Sequence, residues 1–414
     1  MYENEERVEQ VVLVCVDTGE YDAERSLDEL QELAASAGAQ VVSRVIQKKD
    51  HFDPATVMGS GRLLELMEFV QAHEIDAVIF DNELSPAQQK NVEKQLDTKV
   101  IDRTTLILDI FAQRARSSEG RLQVELAQLR YRLPRLMGMG TSLSRLGGGI
   151  GTRGPGETKL ESDRRHIRRR IHNLEEQLEE LEQRRDLLHQ RRKKDGVVSV
   201  AIVGYTNVGK STLLNTLTDA GVLAKDMLFA TLDPTSRALT LPDGRKVMLV
   251  DTVGLVSRLP HHLVEAFKST LEEAVNADLI LNVCDVSSPE FDNQLAVTKQ
   301  VLKDLGAENV PVLTVLNKCD LAEIPPMTLD KQTAAISAKA GTGLETLLQK
   351  IAMNLPETHK HLQMILPYDK AGLANEIRIN GKVLEEDYRA EGLFLDAQVD
   401  IKICHKVQDY IVKE

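Results

Sequence analysis

The segment GYTNVGKS, residues 204–211, has the residue types and spacing of a phosphate-binding loop, G-x-x-x-x-G-K-S. It follows an apolar run, VVSVAIVG, and precedes a stretch of helical character, STLLNTL. In such a loop the glycines let backbone N–H groups surround phosphate oxygens, the lysine reaches the β- and γ-phosphates, and the serine hydroxyl coordinates Mg²⁺. The sequence therefore predicts a nucleoside triphosphate site that includes Gly204, Asn207, Val208, Gly209, Lys210, Ser211 and Thr212.

Two further motifs each follow an apolar run, as expected for loops at the ends of parallel strands. In DTVG (251–254) the Asp251 carboxylate can hold Mg²⁺ through water, and the Gly254 amide can contact the γ-phosphate. In NKCD (317–320) the Asp320 carboxylate can accept hydrogen bonds from N1–H and the 2-amino group of guanine. Adenine lacks that amino group, so the motif predicts GTP as the ligand. The base pocket is expected to be completed by Asn317, Lys318, Ser337, Ala338 and Lys339.

The stretch FATLDPT, residues 229–235, lies between the first two motifs and contains two threonines. In GTPase switches a threonine completes the Mg²⁺ shell in the GTP state and is released after hydrolysis. We expect Thr231 in that role, with Thr235 as the alternative. Leu255 stands where Ras-like GTPases have a water-orienting glutamine, and an aliphatic side chain cannot orient water. Slow basal hydrolysis is therefore expected, with Lys210, Thr231 and Gly254 as the catalytic residues.

Changes in hydrophobic periodicity divide the chain into four predicted parts and indicate an α/β multidomain protein. Residues 1–113 alternate apolar runs with amphipathic stretches, which predicts an N-terminal α/β subdomain with a parallel sheet. Residues 114–195 predict a helical hairpin with a glycine-rich loop. Residues 196–357 predict a P-loop GTPase domain with a doubly wound sheet, and residues 358–414 a small C-terminal α+β domain.

Individual elements follow from the same patterns. In the N-terminal part we expect strands at 11–16, 40–46, 76–80 and 98–102 and helices at 23–37, 60–73 and 86–95. Strands at 197–204, 246–252, 279–285 and 310–318 are expected later, then a helix near 371–380 and a strand-like run at 392–403. Gly59-Ser60-Gly61 is interpreted as a helix entry and not as a phosphate turn, because no G-K-S/T follows it.

The hairpin prediction rests on leucine and isoleucine residues at alternating steps of three and four, which is the heptad pattern. Pro134 is expected to end or kink the first helix. The first stripe is Leu122, Leu126, Leu129, Leu133 and Leu136; the second is Leu160, Ile167, Ile171, Leu174, Leu178, Leu181 and Leu188. Residues 114–194 hold 20 Lys and Arg against 11 Asp and Glu, a net charge of +9 in a chain whose net charge is −13. Such a local excess favours contact with phosphate backbones, although a solvated coiled coil is the alternative.

Eight of the 25 glycines fall between residues 138 and 156, in the loop that joins the two heptad helices. Gly149, Gly151 and Gly154 have the G-x-G-x-x-G spacing of a dinucleotide turn. That interpretation is rejected, because no strand precedes the motif and no βαβ unit contains it. Glycine lets the backbone approach RNA closely, although a disordered linker in the free protein is the alternative. The predicted RNA-contacting residues are Arg145, Arg153, Lys159, Arg164, Arg165 and Arg168.

Composition restricts the class of protein further. The acidic start MYENEERVEQ is unlike a signal or transit peptide, and no apolar run approaches the ~20 residues of a membrane span. The four cysteines are scattered, which argues for a reducing compartment and against a zinc site. We expect a cytoplasmic protein without a membrane span.

These motifs resemble those of the HflX family of ribosome-associated GTPases over nearly the whole chain. The resemblance is carried by GYTNVGKS, FATLDPT, DTVGL with LPHHLVEAFKSTLEE, NKCD, and the loop segment SRLGGGIGTRGPGETKLESDRR. The family usually has an aromatic residue at the Leu255 position, and both are apolar. The resemblance implies binding to 23S rRNA of the large ribosomal subunit, stimulation of GTP hydrolysis there, and splitting of stalled or idle 70S ribosomes under stress. It also implies that the glycine loop points towards the peptidyl-transferase region. We expect a monomer.

Two other functions stay open at this point. The first is an RNA-remodelling NTPase that uses the N-terminal α/β unit as a second nucleotide site, although that unit lacks a complete phosphate motif. The second is a ribosome assembly or binding factor whose GTPase domain is a passive sensor.

Asn207 generates a prediction about ions. It occupies the loop position that helps hold an activating K⁺ in several RNA-linked GTPases. GTP hydrolysis should therefore be faster in KCl than in NaCl at equal ionic strength, and equal rates would exclude a K⁺ site.

Overall fold

The computed structural model describes residues 8–136, 155–218, 228–229, 235–256, 258, 271–322, 330–356 and 359–412. The chain forms two compact units, Met1–Ala352 and Met353–Glu414. The first unit contains two separate sheets and a helical hairpin, and the second contains one sheet.

The N-terminal sheet is parallel throughout, as predicted. Its strands are β1 (Gln10–Asp17), β2 (Gln40–Lys48), β3 (Ala77–Phe80) and β4 (Lys99–Asp102), in the order β2-β1-β3-β4. The helices are α1 (Ala23–Ser36), α2 (Ser60–Ala72), α3 (Pro86–Leu96) and α4 (Arg103–Arg114). The strand order reverses between β1 and β3, so a crevice lies at the carboxyl ends of these two strands.

Local signals start the helices of this part. Gly59 is the N-cap residue of α2, which confirms that the Gly-Ser-Gly segment is a helix entry. Ser85 and Gln88 form a capping box at the start of α3, with Pro86 in the first turn, where its missing N–H costs nothing.

Asp102 joins the end of β4 to two helices. It is 1% exposed and caps α4 by accepting from the Thr105 backbone N–H at 2.9 Å. The Tyr131 hydroxyl also donates to it, and the Arg135 guanidinium lies 3.1 Å away. Because a buried carboxylate needs such partners, Asp102 fixes the position of the following helix, α5 (Ser118–Arg135), on the N-terminal sheet.

The hairpin consists of α5 and α6 (Pro155–Asp195). The helices are antiparallel, since Glu119 at the start of α5 pairs with Arg185 near the end of α6. Arg130, further along α5, pairs with Glu175, nearer the start of α6. α5 ends at Arg135, one residue beyond Pro134. None of the helices in the described ranges is long and apolar enough to cross a membrane.

The leucine stripes describe only part of the hairpin's packing. Leu126 and Leu174 are buried, whereas Leu188 is 52% exposed, so its assignment to the core stripe is wrong. A second buried face of α5, which the leucine pattern does not predict, contacts α3 and α4. It consists of Gly120, Val124, Ala127 and Tyr131.

The GTPase sheet has six strands and is mixed. The strands are β5 (Val198–Gly204), β6 (Thr235–Thr240), β7 (Lys246–Asp251), β8 (Leu279–Asp285), β9 (Val312–Asn317) and β10 (Thr333–Ala335), in the order β10-β9-β8-β5-β7-β6. The helices are α7 (Lys210–Thr218), α8 (Phe291–Asp304) and α9 (Leu344–Asn354). Among the described strands of this sheet only β6 runs antiparallel, and most of it is exposed at the sheet edge, which explains why no apolar run marks it.

The second compact unit is the predicted small α+β fold. It contains β11 (His359–Leu366), α10 (Ala371–Asn380), β12 (Lys382–Arg389), β13 (Gly392–Asp400) and α11 (Ile401–Val407), with 3₁₀ turns at Tyr368–Lys370 and Gln408–Tyr410. The sheet is antiparallel with β13 in the centre. The run at 392–403 is not one strand, because α11 begins at Ile401; Ile403 and Val407, four residues apart, are buried in the same core.

Asp102 generates a stability prediction. Asp102→Ala should lower the free energy of unfolding by about 3 kcal/mol, because it removes a helix cap and leaves Arg135 and Tyr131 without their buried acceptor. Asp22, the exposed N-cap residue of α1, is the matched control, and Asp22→Ala should cost about 1 kcal/mol. Chemical denaturation followed by circular dichroism measures both, and equal losses would contradict the role given to Asp102.

Candidate active site

The phosphate-binding loop joins β5 to α7, and its glycines are required by close contacts. Gly204 has φ +153°, and a Cβ there would lie 2.2 Å from the Val283 carbonyl oxygen of β8. Gly209 has φ +94°, and a Cβ there would lie 2.4 Å from Asn317 Nδ2. No side chain fits at either position, so the loop can follow this path only with glycine.

Lys210 lies inside the loop. Its side chain is buried, and Nζ donates to the carbonyl oxygens of Gly204 at 3.0 Å and Tyr205 at 2.6 Å. Burial lowers the pKa of Lys210 to about 8, although the nearby Asp251 carboxylate acts in the opposite direction. A phosphate anion in the loop would favour the ammonium form for the same electrostatic reason.

Ser211 and Asp251 form the candidate Mg²⁺ ligands. The Ser211 hydroxyl donates to Asp251 Oδ2 at 2.8 Å, and Asp251 is 1% exposed at the end of β7. A hydroxyl and a carboxylate are hard oxygen donors, which fit Mg²⁺ in a phosphate site. Thr235 is the antiparallel partner of Asp251 in β6, and Thr231 lies outside the described residues.

The DTVG segment lies against the phosphate-binding loop. The Thr206 N–H donates to the Leu255 carbonyl at 2.7 Å, and the Leu255 N–H donates to the Gly204 carbonyl at 3.1 Å. A Cβ at Gly254 would lie 3.0 Å from Lys210 Nζ and 2.6 Å from Thr206 Cγ2. Leu255 is 3% exposed, so an apolar core side chain follows Gly254.

Asn317 connects three of the predicted motifs. Its Nδ2 donates to the Val208 carbonyl at 2.7 Å, and its Oδ1 accepts from the Ala338 N–H at 2.9 Å. The Ala338 amide is therefore engaged by Asn317, and a contact from this amide to a base requires exchange of that bond. Thr212, the third residue of α7, follows the same loop.

The residues expected to contact the base have different environments. Lys318 has φ +61°, and its ammonium lies 2.7 Å from Asp285 Oδ2 at the end of β8. Asp320 is exposed, and the hydrogen bond from the Ser337 hydroxyl lowers its pKa, so it is ionised and can accept from a base. Lys339 is exposed beside it.

A buried carboxylate at the N-terminal crevice is a feature that the sequence analysis missed. Asp81 follows β3, and its side chain is 0% exposed. It is 2.9 Å from the Arg103 guanidinium and 2.6 Å from that of Arg258, which lies four residues after Gly254. Burial raises the pKa of Asp81, but the two arginines outweigh burial and hold its pKa below the usual range. The sequence contains one signal that could have revealed Asp81: an acidic residue directly follows the buried strand β3, at the point where the strand order of the sheet reverses.

Phe229, the first residue of the FATLDPT segment, and the preceding Leu228 also contact the N-terminal part, as Arg258 after DTVG does. Phe229 and Phe111 of α4 pack edge to face at 4.5 Å between ring centroids. The Leu228 N–H donates to the Ser36 hydroxyl oxygen at the end of α1, at 3.1 Å. Residues next to the FATLDPT segment and after the DTVG segment thus both contact the N-terminal subdomain.

The predicted RNA-contacting residues are only partly described. Arg145 and Arg153 lie outside the described residues, and of Lys159 only the backbone, in α6, is described. Arg165 and Arg168 are exposed on α6, whereas Arg164 is partly buried. Arg170, on the same basic stretch, is bonded to Glu125 at 2.7 Å and so helps to close the hairpin.

Comparison with known proteins agrees with these observations. The chain matches the families described as GTP-binding GTPase N-terminal over residues 24–112, GTP-binding GTPase Middle Region over 114–192, and 50S ribosome-binding GTPase over 199–318. A crystal structure described as SsGBP in complex with GDP is similar with a TM-score of 0.50 and 27% identity, over 84% of this chain and 98% of that chain.

Curated relatives cover the chain almost completely. GTPase HflX of Caldanaerobacter subterraneus subsp. tengcongensis is 53% identical over 98% of this chain and 94% of its own length. GTPase HflX of Escherichia coli (strain K12) is 42% identical over 89% of this chain and 88% of its own length. With the phosphate-binding loop, DTVG and NKCD brought together at one sheet edge, these matches show that the chain belongs to the HflX family of GTPases.

Proposed function

We propose that this GTPase binds 23S rRNA of the large ribosomal subunit and splits stalled or idle 70S ribosomes under stress, and that the ribosome stimulates its GTP hydrolysis. The main support for the proposal is that the GTP-site motifs and a basic antiparallel hairpin belong to the same compact unit. The ribosome-binding description of the matched GTPase family supports the choice of partner. In this proposal the protein acts as a monomer on cytoplasmic ribosomes.

Each motif has a separate task in the proposed site. Lys210 and the backbone amides of the loop hold the phosphates, and the Gly254 amide meets the γ-phosphate. Asp320 selects guanine, while Asn317 keeps the base-binding loops attached to the phosphate loop. Thr231 completes the site in the GTP state. Because Leu255 cannot orient water, the ribosome has to complete the arrangement that positions the attacking water.

Mg²⁺ is the cofactor that these residues fit. Ser211 and Asp251 would hold it, together with Thr231 and phosphate oxygens. When bound, it neutralises charge on the β- and γ-phosphates. K⁺ beside Asn207 would add positive charge at the same place.

The hairpin is proposed to supply the RNA contacts. Exposed arginines such as Arg165 and Arg168 can neutralise phosphates along α6, and Arg145, Arg153 and Lys159 would do so around the glycine loop. RNA binding of this kind is sensitive to salt, since each phosphate contact releases counterions.

Lys210→Ala tests the phosphate site. The variant removes the ammonium that faces the phosphates, so GTP affinity should fall at least about 30-fold. Lys246, an exposed lysine at the start of β7, is the matched control, and Lys246→Ala should bind GTP normally. Titration with a fluorescent GTP analogue measures both, and unchanged affinity of Lys210→Ala would refute the assignment.

A shortened glycine loop tests the ribosomal function. Deletion within residues 147–154 retains Pro155, the first residue of α6, and should leave basal GTP hydrolysis unchanged. Splitting of 70S ribosomes, measured by sedimentation, should fall about tenfold or more as RNA contacts are lost. Lys210→Ala should lose both activities. Normal splitting by the deletion variant would exclude the loop as the effector, and GTP hydrolysis by the intact protein that does not respond to 50S subunits would favour a passive sensor.

A further inference from the structure

From Arg185 to its C-terminal end, α6 contacts its neighbours largely through charged side chains. Leu174 is the only fully buried side chain among those described for α6. Leu187 and Leu188 are 59% and 52% exposed. A cavity of about 220 Å³, lined partly by His189 and Glu273, lies beside this end of the helix. The direction of α6 therefore depends on the ion pairs near Arg185.

Arg185 bridges three segments of the chain. Its guanidinium lies 2.6 Å from Glu119 Oε1 at the start of α5 and bonds on its other side to Glu272. One helical turn later, His189 Nε2 lies 3.3 Å from Glu273 Oε1. The three residues of the bridge are only 16–29% exposed, so solvent screens these pairs less than typical surface pairs.

Glu272 and Glu273 belong to a helical stretch, residues 271–275, that is fixed in the GTPase domain. Leu271 is 1% and Ala274 0% exposed in its core. Asp278, just beyond this stretch, accepts from the Ser199 N–H of β5 at 2.8 Å. The Asp278 N–H also donates to the Ser199 carbonyl at 2.9 Å, so residues 271–278 are tied to β5, the strand that ends in the phosphate-binding loop at Gly204.

We propose that Arg185 is the positioning residue that couples nucleotide state to the hairpin, by setting the direction of α6 from the position of residues 271–275. This proposal rests on the proposed function for its ribosomal consequence. Thirty residues separate Arg185 from Pro155, a length of about 45 Å in an α-helix. A tilt of about 10° at Arg185 therefore moves the loop end of α6 by about 8 Å, which is enough to change which RNA groups it meets.

Three variants of the full-length protein distinguish the two ion pairs of Arg185, which are the two arms of the bridge: one to Glu119 of α5 and one to Glu272 of the GTPase domain. Arg185→Gln removes both arms, Glu272→Gln removes only the arm to the GTPase domain, and Glu119→Gln only the arm to α5. The first two should retain basal kcat and KM for GTP within about twofold but lose at least about fivefold of the stimulation by 50S subunits. Glu119→Gln should keep most of the stimulation, and Arg185→Lys should restore part of it. Arg184→Gln is the matched control, because Arg184 is 73% exposed on the same turn.

Hydrogen exchange provides a second readout without ribosomes. In the intact protein, peptides from 178–192 should exchange at different rates with GDP and with a non-hydrolysable GTP analogue, and Arg185→Gln and Glu272→Gln should abolish the difference. No difference in the intact protein, or a difference that both variants retain, would overturn the coupling. If 50S subunits do not stimulate the intact protein, the proposed function fails, and hydrogen exchange alone decides the coupling. If Arg185→Gln fails to fold, Glu272→Gln decides it, because the Arg185–Glu119 pair remains.

Discussion

The nucleotide site depends on the side-chain amide of Asn317. This amide lies against residue 209, which is a glycine and has no Cβ. Its two hydrogen bonds join the phosphate loop at Val208 to the base-binding loop at Ala338. The space for this amide exists because residue 209 is a glycine: a Cβ there would lie 2.4 Å from Asn317 Nδ2. Loops from β5, β9 and β10 thereby keep one geometry, and a site built on rigid strand ends can orient phosphates and base together.

The N-terminal subdomain contacts residues near the same site through an ion pair to a buried carboxylate and an aromatic contact. Asp81 is a buried carboxylate, which is tolerated because Arg103 and Arg258 compensate its charge. Phe229 adds an apolar contact to α4. Residues near both switch segments thus contact the N-terminal part, each through its own partners, whereas the phosphate loop itself is braced within the GTPase domain.

The hairpin combines two kinds of contact along its length. Leucine packing near Leu126 and Leu174 holds the helices together, while charged residues hold the end next to the GTPase domain. The Leu126 and Leu174 contacts join α6 to α5, whereas the Arg185 guanidinium contacts both Glu119 of α5 and Glu272 of the GTPase domain. This difference is why Arg185, and not the leucine stripe, can redirect α6.

Much of the fold was predictable, because strands buried on both faces are continuous apolar runs and helix starts carry their own caps. The phosphate loop, DTVG and NKCD were predictable because their chemistry uses adjacent residues in a fixed spacing. The edge strand β6, the start of α11 at Ile401 and the exposure of Leu188 were not, because each depends on neighbours that periodicity does not reveal. The sequence by itself thus determined the site motifs, the domain types and the basic charge of the hairpin. Only the tertiary structure decided that Asp81 meets Arg258 and that Arg185 meets Glu272, since pairs 177 and 87 residues apart are selected by packing and not by local pattern.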